Sequence, residues 1–321
     1  MRRRLNVNDF IFPVFVYESE SSYKKNSKSS SYFGNSKVPF KNINSYFQEL
    51  INLKIRNVLL FGVPKGRNYL GTESFNKNGV TQNTIRRIKQ SFGSRINIIS
   101  DVCICQYKTV GHCGIGNNHA NGKITNGKQH EKFKIDNDKT LEALGRIAIS
   151  LCEAGTDFVA PSSMMDGQVL YLKTLLKDLG HDKVKIMSYS AKHNSCLYSP
   201  FRKNNFHNPE AIDKSSYQSS YYNYRESLRE VLSDVNEGAD WIMVKPSFWY
   251  MDIMQTIGKI SKKTLVVQNV SGEYAMIKAA TENKWIDEKE WNLFLISSLK
   301  RAGAGKIISY YIYELVKRKT Q

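Results

Sequence analysis

Short apolar runs recur along the chain, each too short for a buried helix and most bounded by Gly, Pro, Asn or Asp. Runs of that length and setting read as buried strands. They fall at 9–16 (DFIFPVFV), 57–63 (NVLLFGV), 96–105 (INIISDVCIC) and 157–163 (DFVAPSS). Four more lie at 184–192 (VKIMSYSAK), 240–246 (DWIMVKP), 264–271 (TLVVQNVS) and 305–312 (GKIISYYI). Between them, apolar residues recur at helical spacing in 43–54, 80–92, 139–155, 166–180, 224–238, 250–260, 273–283 and 288–303. In 139–155 the residues Leu141, Leu144, Ile147, Ala148 and Leu151 share one face, and Gly155 supplies a C-terminal stop.

Eight strands alternating with helices predict an α/β fold, a single (β/α)8 TIM barrel over 1–321, with its active site at the C-terminal strand ends. An open doubly wound sheet is the competing arrangement, but no phosphate-binding glycine pattern follows the first strand. Three segments stand apart from the repeat. Residues 1–8 form a residual N-terminal arm, 19–42 read as a mobile loop, and 193–223 read as a lid over the active face.

Two of the predicted strands end in lysine, Lys192 and Lys245. An ammonium at a strand end in a barrel either reaches solvent or is chemically tuned by burial. Two of them on neighbouring strands favour chemistry. The run DVCICQYKTVGHCG adds three thiols, Cys103, Cys105 and Cys113. On an extended strand the first two project to the same side, and the loop through Gly111 can return the third. Three soft ligands suit zinc and leave its fourth position open, as catalysis requires. His112 and His119 are given surface or supporting roles.

Composition changes this picture little. The net charge of +18 comes from scattered Lys and Arg rather than one basic block, so it implies a basic surface suited to an anionic substrate and no nucleic-acid partner. No run of eighteen apolar residues is present, so no membrane partner is expected. Five cysteines, three of them clustered, fit a metal site in a reducing compartment better than a disulfide framework. A cytoplasmic location is expected, or an organelle if a transit peptide has been removed.

The segments DVCIC…GHCG, AGTDFVAPSSMMDG, IMSYSAKHNSCLYSPFR, EGADWIMVKP, VSGEYAMI and KRAGAGKIISYY together resemble the porphobilinogen synthase (5-aminolevulinate dehydratase) family, in the family's order from about residue 55 onward. The resemblance implies a (β/α)8 barrel that condenses two 5-aminolevulinate molecules with loss of two waters. It implies Lys245 as the Schiff-base lysine, and Lys192 as holder of the second substrate or proton donor. It implies zinc on Cys103, Cys105 and Cys113, with magnesium at a second, allosteric site left open. Asp101 and Ser162 match contacts to the first substrate's amino group, and Ser271 and Tyr310 match its carboxylate ligands. Arg202, Lys214 and Gln218 match the lid groups for the other carboxylate.

The chain also departs from the family pattern. Ser163 and Gln168 stand where Asp and Arg are usual, Ser199 replaces a glycine, and Lys214 replaces an arginine, keeping charge but losing bidentate geometry. A homo-oligomer is expected. The eight residues before the first strand favour a dimer or hexamer over an octamer. Another Schiff-base barrel of the aldolase kind and a degenerate, non-catalytic relative are the alternatives.

Overall fold

The computed structural model describes residues 6–28, 35–116, 134–205 and 213–320. Among them the strands are β1 (Phe10–Tyr17), β2 (Lys37–Pro39), β3 (Asn57–Val63), β4 (Asn97–Val102), β5 (Ile115–Gly116), β6 (Ile135–Asp136), β7 (Phe158–Pro161), β8 (Lys185–Lys192), β9 (Trp241–Lys245), β10 (Thr264–Gln268) and β11 (Lys306–Ile308). The α-helices are α1 (Glu20–Lys28), α2 (Ile43–Asn52), α3 (Val80–Phe92), α4 (Asn137–Ala154), α5 (Gln168–Asp178), α6 (Ser199–Asn205), α7 (Tyr224–Asn236), α8 (Met251–Ile260), α9 (Ser271–Glu282), α10 (Glu288–Arg301) and α11 (Ile312–Thr320).

Eight of the strands close into a parallel barrel in the order β1, β3, β4, β7, β8, β9, β10, β11, with β11 pairing back onto β1. The TIM barrel expected from the apolar runs is therefore the fold. Strand alternation divides the core in two. Ile11, Phe15, Leu59, Ile99, Met187, Met243 and Val266 fill the barrel interior. Their neighbours Phe12, Val14, Val58, Leu60, Ile98, Ile186, Ile242 and Val267 pack outward with the helices.

Helix ends follow local chemistry. The Asp136 side chain accepts from the Lys139 amide at the start of α4, and Gly155 ends that helix at φ 99°, a conformation that favours glycine. No helix among the described residues is long and apolar enough to cross a membrane.

Residues 19–42 are a correction. Within the described part of that span lie α1 and β2, and β2 extends the sheet by pairing in parallel with Phe15–Tyr17, beyond the point where β11 leaves β1. Its Ser, Lys and Asn content concealed a short polar helix. At the other end, 305–312 is strand only over Lys306–Ile308, and Ile312 already begins α11.

Candidate active site

β9 alternates so that Met243 points into the barrel and Val244 out of it, which carries Lys245 inward at the strand's C-terminal end. Lys192 needs a different explanation. On β8, Met187 and Tyr189 point inward, so plain alternation would place Ala191 inside and Lys192 among the helices. The pairing with β9 slips between Ser188 and Ala191, where three steps along β8 match two along β9. This bulge puts Ala191 in the outer core and turns Lys192 inward as the register partner of Lys245.

Both ammonium groups lie near the ring of Tyr189, at 5.5 Å for Lys192 and 5.3 Å for Lys245, and Lys245 also lies 5.4 Å from the Tyr198 ring. Lys192 donates to the Ser162 carbonyl. Burial first, and then the neighbouring Lys192 charge, pull the Lys245 amine down to about 7. Burial pushes the Asp101 carboxyl up to about 6, against a hydrogen bond from Ser162 and the two lysine charges. An amine and a carboxyl that both titrate near neutrality thus line one pocket.

Cys103, Cys105 and Cys113 meet beside the lysines, with their sulfurs all within 4.8 Å of one another. Three sulfurs around one zinc lie about 3.8 Å apart, given Zn–S bonds of about 2.3 Å. The donor set and spacing therefore fit zinc after a small contraction. Hydrogen bonds from the Cys103 and Cys105 thiols hold Cys113 well below the usual thiol range, with the nearby Lys214 charge adding to the effect. The backbone N–H of Cys113 donates to the Tyr217 hydroxyl at 3.3 Å, and His112 Nδ1 lies 3.3 Å from the same oxygen. His112 thus supports the thiol loop, while His119 lies outside the described residues.

Two adjoining pockets share Phe61, Tyr198, Phe201 and Lys245 as a common wall. The first also contains Asp101, Cys105, Ser162, Tyr189, Lys192, Arg202, Lys214 and Gln218. The second contains Phe15, Gln268, Val270, Ser271 and Tyr310. The two lysines and the seven expected substrate contacts, Asp101, Ser162, Arg202, Lys214, Gln218, Ser271 and Tyr310, thus all line these pockets. Arg202 Nη2 and Gln218 Oε1 are buried without a hydrogen-bond partner among the described residues, which suits groups waiting for a polar ligand.

Lys214, expected as a carboxylate clamp, lines the first pocket and also faces the thiols. Its ammonium donates to Cys113 Sγ at 3.1 Å. Burial opposes that charge, but the three thiol groups outweigh it and raise the amine to about 12. The second half of the 193–223 span is tied down by backbone bonds from Ser219 N to Lys192 O and from Asn194 N to Ser219 O.

Over residues 1–318 the sequence matches the profile of the delta-aminolevulinic acid dehydratase family. The chain belongs to this family. Delta-aminolevulinic acid dehydratases of Archaeoglobus fulgidus and Bacillus subtilis are 39% and 38% identical to it, over 98% of this chain and 92% and 91% of theirs. The dehydratase of Toxoplasma gondii, solved with the reaction product porphobilinogen, superposes with a TM-score of 0.87 at 32% identity, covering 99% of this chain and 86% of that one.

Sequence reasoning missed part of this dehydratase site. Tyr189, Tyr198, Phe61 and Phe201 line the lysines, yet each reads in sequence as ordinary strand or loop apolar content. The signal for Tyr189 was its place three residues before a strand-end lysine. Its meaning depended on the bulge, which leaves no mark in the hydrophobic pattern.

Proposed function

We propose that this chain is a porphobilinogen synthase, which joins two molecules of 5-aminolevulinate into porphobilinogen with loss of two waters through a Schiff base on Lys245. The observation that carries the reading is the placement of Lys245 on the wall between two pockets, opposite a second lysine and beside three thiols.

The buried Lys245 amine, neutral above about pH 7, attacks the ketone carbon of one substrate. Nitrogen replaces oxygen on that carbon, and the oxygen leaves as water after taking up protons. Lys192 stands opposite as the proton donor for that departure, or as the holder of the second molecule. The protonated imine acidifies the C–H on the adjacent carbon; loss of that proton leaves the electron pair in an enamine, whose carbon is the nucleophile for carbon–carbon bond formation.

Ser271 and Tyr310 are assigned the carboxylate of the molecule on Lys245, and Asp101 and Ser162 its amino group. Arg202, with Gln218 and Lys214, is assigned the carboxylate of the second molecule, since a guanidinium is matched to a carboxylate in shape and charge. Cys103, Cys105 and Cys113 would hold zinc, which when bound supplies Lewis acidity beside the second substrate. The span 193–223 is assigned the role of a lid that excludes bulk water during condensation. Self-association is part of the proposal, with a dimer or hexamer as the proposed state.

The test is incubation with 5-aminolevulinate, with and without a metal chelator, followed by a colour assay for the pyrrole. Pyrrole formed only in the chelator-free sample supports the reading. No pyrrole in either sample, from folded protein supplied with zinc, overturns it.

A further inference from the structure

Lys108 is an ammonium-bearing side chain in the protein interior, with 1% of its surface exposed. It lines neither pocket, so it has no place in the substrate scheme above. A buried ammonium is costly unless its hydrogen bonds and charge are compensated. Its Nζ donates to the Gly114 carbonyl at 2.7 Å, one residue beyond Cys113, and lies 5.3 Å from the centre of the Tyr69 ring.

The backbone around it is fixed as well. Asn68 N donates to Tyr107 O at 3.2 Å, and Thr109 N donates to Asn68 O at 3.1 Å. Gly71 sits at φ 68°, and a Cβ there would fall 3.0 Å from Lys108 Cγ and 3.2 Å from the Ile104 carbonyl. The Lys108 side chain therefore bridges an anchored stretch just after Cys105 to the point where the loop returns with Cys113. It spans the interval that three thiols must close.

We propose that Lys108 is a positioning residue for the thiol triad, its ammonium holding the Cys105–Cys113 loop closed and offsetting the negative charge that three thiolates retain around a divalent ion. Three thiolates and one divalent cation leave one net negative charge. Lys214 meets it at Cys113 within the pocket lining, and Lys108, bonded at Gly114 outside that lining, shares in balancing it without touching substrate. This inference rests on the zinc reading above. It adds a determinant of metal affinity that touches neither metal nor substrate.

The experiment measures zinc affinity of the purified full chain by competition with a chromogenic chelator, for wild type, Lys108→Met, Lys108→Arg and Cys103→Ser. Cobalt substitution, read by thiolate-to-metal absorption, reports the geometry independently of turnover. Removing a group that supports metal ligands typically weakens affinity about 10–100-fold, which is the loss expected for Lys108→Met. Lys108→Arg should recover most of it, and Lys108→Met should lower and shift the cobalt band. Circular dichroism and a cooperative melt establish that each variant is folded. If Lys108→Met does not fold, Lys108→Gln replaces it under the same criteria.

A folded neutral variant with wild-type zinc affinity and cobalt spectrum overturns the role of Lys108 and leaves the zinc reading standing. A wild-type chain that binds zinc no better than Cys103→Ser overturns both.

Discussion

Lys192 and Lys245 are register partners on adjacent barrel strands, brought face to face by one surplus residue between Ser188 and Ala191 of β8. Burial and the neighbouring like charge pull the Lys245 amine down to about 7, which suits it to the nucleophilic role proposed above.

Borohydride added with 5-aminolevulinate should therefore leave a reduced adduct on Lys245, located by mass spectrometry of a digest. Below pH 7 the amine is protonated and cannot attack, and above it the amine is free, so trapping should rise through about pH 7. Lys192→Met removes the charge that helps to depress Lys245, so the midpoint should move to higher pH. An adduct confined to other lysines would refute the assignment.

The bulge has a support of its own. The buried Asp234 carboxyl on α7 faces Ser188 and Ser190 at the bulge; burial pushes it up to about 6, and the two serines act against that rise. Asp234→Leu should loosen the bulge and misdirect Lys192, and displacement of a reacting group by about 1 Å can cost on the order of 10²-fold in rate. Asp234→Asn, which keeps a hydrogen-bonding side chain, should lose less. Steady-state kinetics of the two variants decide the point, and equal kcat values would show that Asp234 does not orient Lys192.

Metal analysis should find zinc in the wild-type chain and none retained when Cys103, Cys105 and Cys113 are all changed to Ala. Three thiolates favour a soft or borderline ion over magnesium, so added magnesium should not restore pyrrole formation after chelation. Full activity in the triple variant would refute the metal assignment.

Arg202 should act on substrate affinity. A hydrogen bond to a charged group contributes about 1.5–3 kcal/mol, so Arg202→Gln should raise KM about ten- to hundredfold. Lys214→Arg tests whether a guanidinium restores the clamp. A lower KM would give Lys214 a substrate role, and an unchanged KM would leave it as the partner of Cys113.

The barrel was legible because its strands are short, apolar and separated by punctuated helices. Asn57–Val63 was read to the residue, since apolar content ends there on both sides. The last strand was overread because the apolar residues Tyr310–Ile312 continue into a turn and helix that are also buried, and burial alone does not distinguish the two. Of the site, the lysines and thiols stood out as costly groups at strand ends. The inward turn of Lys192 did not, because a bulge changes which face a residue occupies without changing composition. Nor did the bond from Lys214 to Cys113, which joins residues far apart in the chain.

The stretch from Lys214 to Ser219 is attached at both ends to reacting machinery. Lys214 and Tyr217 hold Cys113, while Ser219 is bonded to the backbone at Lys192 and Asn194. It is a strap six residues long between the thiols and the lysine strand. Damage to the thiols, by oxidation for example, would slacken the strap and disturb the wall that carries Arg202, Gln218 and Lys192. If the thiols and the pocket wall act as proposed, this strap couples them mechanically, and an oxidant should weaken zinc retention and raise KM together.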